Sequence, residues 1–303
     1  MKKNLITIVG PTCVGKTNLS IFLAKQLKTE ILSSDSRQFY KELKIGTSLP
    51  SLKELKSVPH HFIGHLSIHQ YYNAKLFERD SQIKINELFK KYSILIMVGG
   101  SGLYEKAVIE GLSDIPNINI NIRNDLIVSF KEKGIKYLQK EFFQEKEKYH
   151  LKNIDINNPI RLIRYLEIIK STGKSPDFFF KKNKKKINFY PLKIGLILSK
   201  KKIFHKINKR VDNMIKNGLL LESKNLYPYK GLNSLETIGY KEIFDFLDKK
   251  NNYKFSDVVE RIKINTRKYV KKQLTWYKKC TNINWFNPEE KYKILEFIIK
   301  KIK

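Results

Sequence analysis

The stretch Gly10-Pro11-Thr12-Cys13-Val14-Gly15-Lys16-Thr17 decides how the first third of the chain is read. It follows an apolar run, Leu5-Ile6-Thr7-Ile8-Val9, of the length of one buried strand, and precedes a segment over 18–27 with helical spacing. Gly-x-x-x-x-Gly-Lys-Thr in that context is the phosphate-binding loop pattern. Its glycines let backbone N–H groups wrap a diphosphate at a helix N-terminus, Lys16 neutralises phosphate oxygens, and the Thr17 hydroxyl holds a magnesium ion, Mg2+. A glycine-rich turn that binds nothing is the competing reading. The pattern points to a phosphorylated small molecule and leaves the reaction open.

Outward from the loop, strands and helices alternate, as expected of a parallel α/β sheet. A short strand over 30–33 ends in Ser34-Asp35-Ser36-Arg37-Gln38, and the most apolar strand, over 93–98, ends in Gly99-Gly100-Ser101-Gly102-Leu103-Tyr104. Ligands of open parallel sheets sit beyond the carboxyl ends of the strands, so the loop, Asp35 and the Gly99–Gly102 turn are expected at one site. From 115 to 190 the spacing is helical throughout, closing in a basic run over 181–186 that reads as a solvated loop. A strand over 192–198 returns the chain to the sheet, and everything after 200 reads as helix. The expectation is a P-loop NTPase-like parallel α/β core in 1–114, an all-helical insertion in 115–190, and completion of the core by one strand and basic helices in 191–303.

Sixty Lys and Arg against 29 Asp and Glu leave a formal charge of +31 over 303 residues. That suggests a polyanionic partner, most commonly nucleic acid, although a chain rich in Lys, Asn and Ile also follows from an AT-rich genome. Two distant cysteines, Cys13 and Cys280, exclude a disulfide framework or a cysteine zinc cluster. His60 and His61 have no Cys or acid beside them to suggest a metal. A strand starting within four residues leaves no room for a signal peptide, and no apolar run approaches the roughly 20 residues of a membrane span. A cytoplasmic, monomeric protein without membrane association is expected.

A phosphate-loop hydrolase normally has an Asp at the end of a second apolar strand to hold magnesium; here that strand ends in Gly-Gly-Ser-Gly. Asp35 is the strand-end acid near the loop, and its chemistry suits taking a proton from an acceptor nucleophile. By itself it reads equally as a turn or helix-capping residue. The Ser101 hydroxyl, after glycines that allow close backbone approach, is placed to hydrogen-bond a substrate oxygen.

These pieces occur in order with Val58-Pro59-His60-His61, Asn158-Pro159-Ile160-Arg161-Leu162-Ile163-Arg164 and Thr172-Gly173-Lys174-Ser175-Pro176. Further on come Arg210-Val211-Asp212-Asn213-Met214, Thr237-Ile238-Gly239-Tyr240-Lys241-Glu242 and Lys272-Gln273-Leu274-Thr275-Trp276. Together, from about residue 4 to 280, they resemble the tRNA isopentenyltransferase family, the tRNA dimethylallyltransferases, in its bacterial plan without an appended zinc finger. The resemblance implies transfer of a dimethylallyl group from dimethylallyl diphosphate to the exocyclic amine of adenosine 37 of tRNA, with pyrophosphate leaving. It implies that Lys16, the N–H groups of 12–17, Mg2+ on Thr17 and Arg210 stabilise the leaving group, and that Asp35 is the general base. Ser101 stands where the family usually has Thr; the hydroxyl survives, without the methyl that restricts its rotamer.

The flipped adenine is expected beside Asp35, Ser36, Arg37, Gln38 and Ser101. The anticodon stem-loop is expected at Arg123, Arg161 and Arg164. Ile160 replaces a common Gln. Gly239 and Tyr240, in a matching block, are also expected to contact tRNA. A long helix carrying Arg267, Lys268, Lys271, Lys272 and Lys278 with Tyr269, Gln273 and Trp276 is expected to face tRNA, its aromatics available for stacking. An adenylate isopentenyltransferase, a small-molecule phosphate-loop kinase, and an RNA-binding protein with a vestigial loop are the other readings. The first two leave the basic C-terminal helix unexplained. The third predicts decay at Lys16, Thr17 or Asp35, all of which are intact.

Overall fold

The computed structural model describes residues 2–116, 118–149, 151, 154–180, 187–248 and 254–302. The basic run over 181–186, expected to be a solvated loop, lies outside the described residues. Six strands are β1 (Asn4–Val9), β2 (Ile31–Ser33), β3 (His60–His61), β4 (Ile94–Val98), β5 (Tyr190–Leu196) and β6 (Ile283–Phe286). They form one sheet in the order β3-β2-β4-β1-β5-β6, every pair parallel. Helices in the first part are α1 (Lys16–Gln26), α2 (Leu52–Ser57), α3 (Ala74–Leu88) and α4 (Gly102–Glu110). Then come α5 (Ile120–Tyr149), α6 (Pro159–Thr172) and α7 (Pro176–Phe179). After β5 follow α8 (Lys200–Lys216), α9 (Leu219–Leu226), α10 (Tyr240–Leu247), α11 (Phe255–Lys278) and, beyond β6, α12 (Lys291–Ile302).

The chain divides into two compact units, Met1–Glu110 with Lys186–Lys303, and Gly111–Lys185. In the first, alternation along the strands sorts side chains to two faces. Leu5, Leu32, Leu95 and Met97 pack with Phe77 of α3, Val108 of α4, Ile207 of α8 and Val270 of α11. Ile6, Ile8, Ile31, Ile96 and Ile194 pack with Leu19 and Leu23 of α1 and Ile294 and Ile298 of α12. Both faces are covered, as a parallel sheet requires. The second unit has its own core of Leu126, Leu138, Phe142, Leu162 and Leu166. Its long helix α5 is broken at Gly134 (φ 72°), where a left-handed backbone interrupts the helix. No helix among the described residues is long and apolar enough to cross a membrane.

Two expectations change. The region after residue 190 contributes two strands, β5 and β6, where one was expected. β6 is only Ile-Asn-Trp-Phe, is nowhere fully buried, and follows Asn282 in the left-handed region (φ 64°). Four half-exposed residues between helices carry too little periodicity to announce a strand. The pair His60–His61 is a strand as well, on the sheet edge. There His61 Nε2 lies 2.6 Å from the carboxylate of Glu30, whose other oxygen accepts from Tyr92 Oη at 2.9 Å.

Candidate active site

β1 lies between β4 and β5, so the chain diverges to either side of it and leaves a crevice at its carboxyl end. The phosphate loop opens there. Gly10 (φ 138°) is pressed against β5: a Cβ on it would sit 2.6 Å from the Leu196 carbonyl oxygen. Gly15 (φ 107°) enters α1 in a left-handed conformation and offers no capping side chain. The first N–H groups of α1 therefore remain for an anion. Lys16 Nζ donates to Pro11 O (2.7 Å). Burial above all, helped by the Arg210 charge, lowers its pKa to about 8, with Asp35 and Cys13 acting in the opposite sense. Arg210, from α8, reaches across to the loop and donates through Nη1 to Thr12 Oγ1 (2.9 Å) and through Nη2 to Thr47 O (3.4 Å).

β2 delivers Asp35. Ser34 N donates to Val98 O (2.8 Å), carrying the sheet ladder one step past the strand. Asp35 N donates to Ser33 Oγ (3.3 Å), and Asp35 Oδ1 accepts from Arg37 N (3.1 Å), which fixes the carboxylate in a local turn. The neighbouring turn after β4 is locked to it. Ser101 Oγ accepts from Ser36 N (3.2 Å) and shares a hydrogen bond with Ser36 Oγ (3.1 Å). These bonds restrain a hydroxyl that lacks a β-methyl. A Cβ on Gly100 would lie 3.7 Å from Lys16 Nζ and 3.9 Å from Asp35 Oδ2, so ammonium and carboxylate converge on one spot in front of that glycine.

Helix α11 closes the floor, and the stripe expected to offer its aromatics for base stacking is in part tied to the glycine turn, with Gln273 buried and Tyr269 and Trp276 still exposed. Tyr269, Gln273 and Trp276 follow at four- and three-residue spacing, one stripe of a helix, and that stripe faces the Gly99–Gly102 turn. Gln273 is buried: its Oε1 accepts from Thr12 N (2.9 Å) and its Nε2 donates to Gly100 O (2.9 Å). One amide thus ties the phosphate loop to the glycine turn, and both its ends are used. The Trp276 indole lies against Gly102, where a Cβ would come within 2.1 Å of Nε1. The Tyr269 hydroxyl is pushed up to about 12, by burial first and then by the Asp35 charge; Arg37 and hydrogen bonds to Ser101 and Gln273 oppose this. The sequence offers Tyr269 only as one aromatic of a tRNA-facing helix; its place in the cavity lining beside Asp35 is added by the fold.

Lys16, Asp35, Gly100, Arg210, Tyr269 and Gln273 line one cavity of about 310 Å³. Lys16, Asp35 and Arg210 make a charged cluster with Thr12 beside it; Val211, Met214, Ile238 and Ile262 supply aliphatic lining, and Arg37, Glu236, Thr237 and Tyr269 are also in the wall. Among the described residues no cluster of three or more His, Cys, Asp or Glu side chains could hold a metal. The charged cluster still fits Mg2+, which is commonly held by one or two protein oxygens while phosphate and water supply the rest. Thr17, on the first turn of α1, is the hydroxyl next to Lys16 that would hold it.

The other expected tRNA contacts divide between side chains held by partners within the protein and side chains left exposed. Tyr240 is fully buried, so a surface role gives way to a structural one. Its hydroxyl donates to Glu222 Oε1 (2.6 Å) and accepts from Gly46 N (3.2 Å), bracing the Gly46–Thr47 wall of the cavity. Gly239 (φ 103°) is the left-handed step into α10, capped by Glu242. Gln38 spans Ser33 Oγ and Ser48 O. Arg37 donates to three backbone carbonyls of 233–236. Arg267 donates to Asn208 Oδ1 (2.7 Å), whereas Lys268, Lys271, Lys272 and Lys278 are exposed. In the second unit Arg123 and Arg164 both pair with the buried Glu167 carboxylate, and Arg161 and Ile160 are exposed on α6.

The sequence model of the IPP transferase family matches residues 38–280. A tRNA dimethylallyltransferase of Christiangramia forsetii is 47% identical over 303 residues, covering 100% of this chain and 99% of the relative. That of Flavobacterium psychrophilum is 45% identical, with 99% of each covered. Among solved structures, the tRNA isopentenylpyrophosphate transferase of Bacillus halodurans superposes with a TM-score of 0.73 at 34% identity, over 99% of this chain and 97% of that one. A eukaryotic dimethylallyltransferase acting on tRNA gives 0.78 at 27% identity, over 99% and 79%.

Proposed function

Because the chain belongs to the IPP transferase family, a family of tRNA-modifying prenyltransferases, we propose that it transfers a dimethylallyl group from dimethylallyl diphosphate to the exocyclic amine of adenosine 37 of tRNA. The observation that carries the reading is the convergence of Lys16 and Asp35 in front of Gly100, in a cavity with aliphatic lining. A diphosphate belongs with Lys16, Arg210 and the N–H groups opening α1, and its five-carbon tail belongs against Val211, Met214 and Ile262. A purine flipped out of the anticodon loop brings its amine to Asp35.

The amine nitrogen forms a bond to the terminal allylic carbon, the carbon–oxygen bond breaks, and the electron pair leaves with pyrophosphate. Asp35 takes the proton the nitrogen sheds. Lys16, Arg210 and the N–H groups opening α1 are offered to the oxygens on which charge grows, so they stabilise the transition state more than the ground state. The Thr12 N–H is already given to Gln273. Mg2+, held by Thr17, would supply further neutralisation of the diphosphate. Ser101 holds the acceptor base beside Asp35. Lys271 and Lys272 on α11, and Arg161 with Ile160 on α6, are offered to the stem-loop. No water has to be aimed at a phosphate, which fits the absence of an acid after β4. The reading is tested by pyrophosphate release, expected only when tRNA, dimethylallyl diphosphate and Mg2+ are all present; release in the absence of tRNA would defeat it.

Two further outcomes follow. Lys16 has a lowered pKa of about 8 in the free protein, and a bound diphosphate stabilises its charged form and raises that value. Well below pH 8 the amine is already protonated and binding takes up no proton there. As pH rises through 8 the free amine becomes neutral, so binding must recruit a proton and affinity falls. Titration calorimetry in buffers of different ionisation enthalpy measures that uptake. Separately, reversing Lys271 and Lys272 to Glu is expected to weaken tRNA binding and to reduce its log–log salt slope by up to about 2. Unchanged binding would mean that this face of α11 meets only solvent.

A further inference from the structure

Arg37 joins two walls of the cavity. Its backbone N–H donates to Asp35 Oδ1 (3.1 Å). Its guanidinium donates through Nη1 to Asn233 O (2.8 Å) and Ser234 O (3.2 Å), and through Nη2 to Glu236 O (3.1 Å). Those carbonyls belong to the short 3-10 turn Asn233–Leu235 and its capping residue Glu236. Asn233 O also accepts from Glu236 N and Ser234 O from Thr237 Oγ1, and the second lone pair of each takes the guanidinium bond. From this turn Glu236, Thr237 and Ile238 enter the cavity wall. The rest of the segment is anchored behind the cavity: Leu235 is buried, and Ser234 Oγ donates to Ile68 O (2.9 Å). On the outside there is one surface ion pair, Lys241 with Glu236 (3.2 Å). Leu235 shares the apolar core with Phe39 and Leu43, and the guanidinium bonds add a directional tie between this wall and the loop carrying Asp35.

We propose that Arg37 is a positioning residue: its guanidinium fork holds the 233–238 wall in register with the Asp35 loop and so sets how tightly the cavity encloses the substrate. It acts through that wall and not through a contact with RNA. The inference rests on the cavity being the transfer site. Fork geometry is the essential property. A planar guanidinium spreads its donors over several carbonyls, whereas a lysine ammonium is a point charge on a flexible stem. Charge alone is then insufficient, and Arg37→Lys should resemble Arg37→Met.

The test compares both variants with the natural chain. Amide hydrogen exchange of 235–238, measured on the protein alone, is expected to accelerate about 10-fold or more in each variant, in line with loss of hydrogen bonds to a charged group. The KM for dimethylallyl diphosphate is expected to rise by a similar factor with kcat changed less than about 3-fold, while the salt slope of tRNA binding stays the same. Unchanged exchange in both variants overturns the proposal. So does an Arg37→Lys variant that behaves as the natural chain while Arg37→Met weakens tRNA binding and lowers its salt slope by about 1, the signature of a phosphate contact. Exchange is read without substrates, so a natural chain that transfers nothing would defeat the transferase reading and leave the exchange result standing.

Discussion

The Asp35→Asn protein is expected to bind tRNA as the natural chain does and to transfer the prenyl group about 10²- to 10⁴-fold more slowly, the range that general-base catalysis spans. The substitution is chosen from the geometry. Asn keeps an oxygen to accept from Arg37 N, a bond now 3.1 Å long, so the local turn survives. Ser34 remains tied to Val98 O, and Ser36 to Ser101. What disappears is the proton acceptor facing the spot that Lys16 also faces. Single-turnover rates with enzyme in excess, set beside tRNA dissociation constants, separate the two effects. Loss of tRNA affinity in step with rate would mean that Asp35 holds the base and does no proton transfer.

The second large effect is expected at Gly99, which touches no substrate group in this account. A Cβ placed there would come within 2.2 Å of Ser34 Oγ, 2.7 Å of the Ser34 carbonyl carbon and 2.9 Å of its oxygen. A side-chain hydroxyl can rotate away; the backbone of Ser34, buried in the sheet edge, cannot. Gly99→Ala must therefore push apart the turn after β4 and the loop that begins with Asp35. Overpacking of this kind costs about 1–3 kcal/mol of stability. A shift of about 1 Å at the base costs roughly 10²-fold in rate. Thermal unfolding together with kcat checks both. Normal rates in a merely destabilised protein would show that Asp35 tolerates displacement.

Much of this site was legible because its signals are local. The phosphate loop announces itself by eight contiguous residues between a strand and a helix, and Asp35 and Gly99–Ser101 lie within a few residues of strand ends. The topology then brings them to one sheet edge, as the parallel order demands. Illegible were the features decided by partners far along the chain. Gln273 lies 261 residues from Thr12, and nothing in its own helix says which face will be covered. Basic residues surround that stripe, so all of it reads as a nucleic-acid surface, whereas packing buries Gln273 and leaves Tyr269 and Trp276 exposed beside the glycine turn. Tyr240 reads as an aromatic in a functional block; burial against Glu222 and Gly46 makes it a brace. Arg37 reads as a base contact from its distance to Asp35, and only the fold shows the three carbonyls it reaches. β6 is missed for a different reason, its four-residue length.

In this account the phosphate loop holds a leaving group, and the nucleotide that matters arrives as a base within a tRNA. The most direct measurement incubates the protein with Mg2+, dimethylallyl diphosphate and unmodified tRNA carrying adenosine at position 37, then digests the tRNA and weighs the fragments. The account predicts a five-carbon gain on the fragment containing adenosine 37, matched by released pyrophosphate. A tRNA recovered with no gain in mass, or a gain found on free AMP in its place, would contradict it.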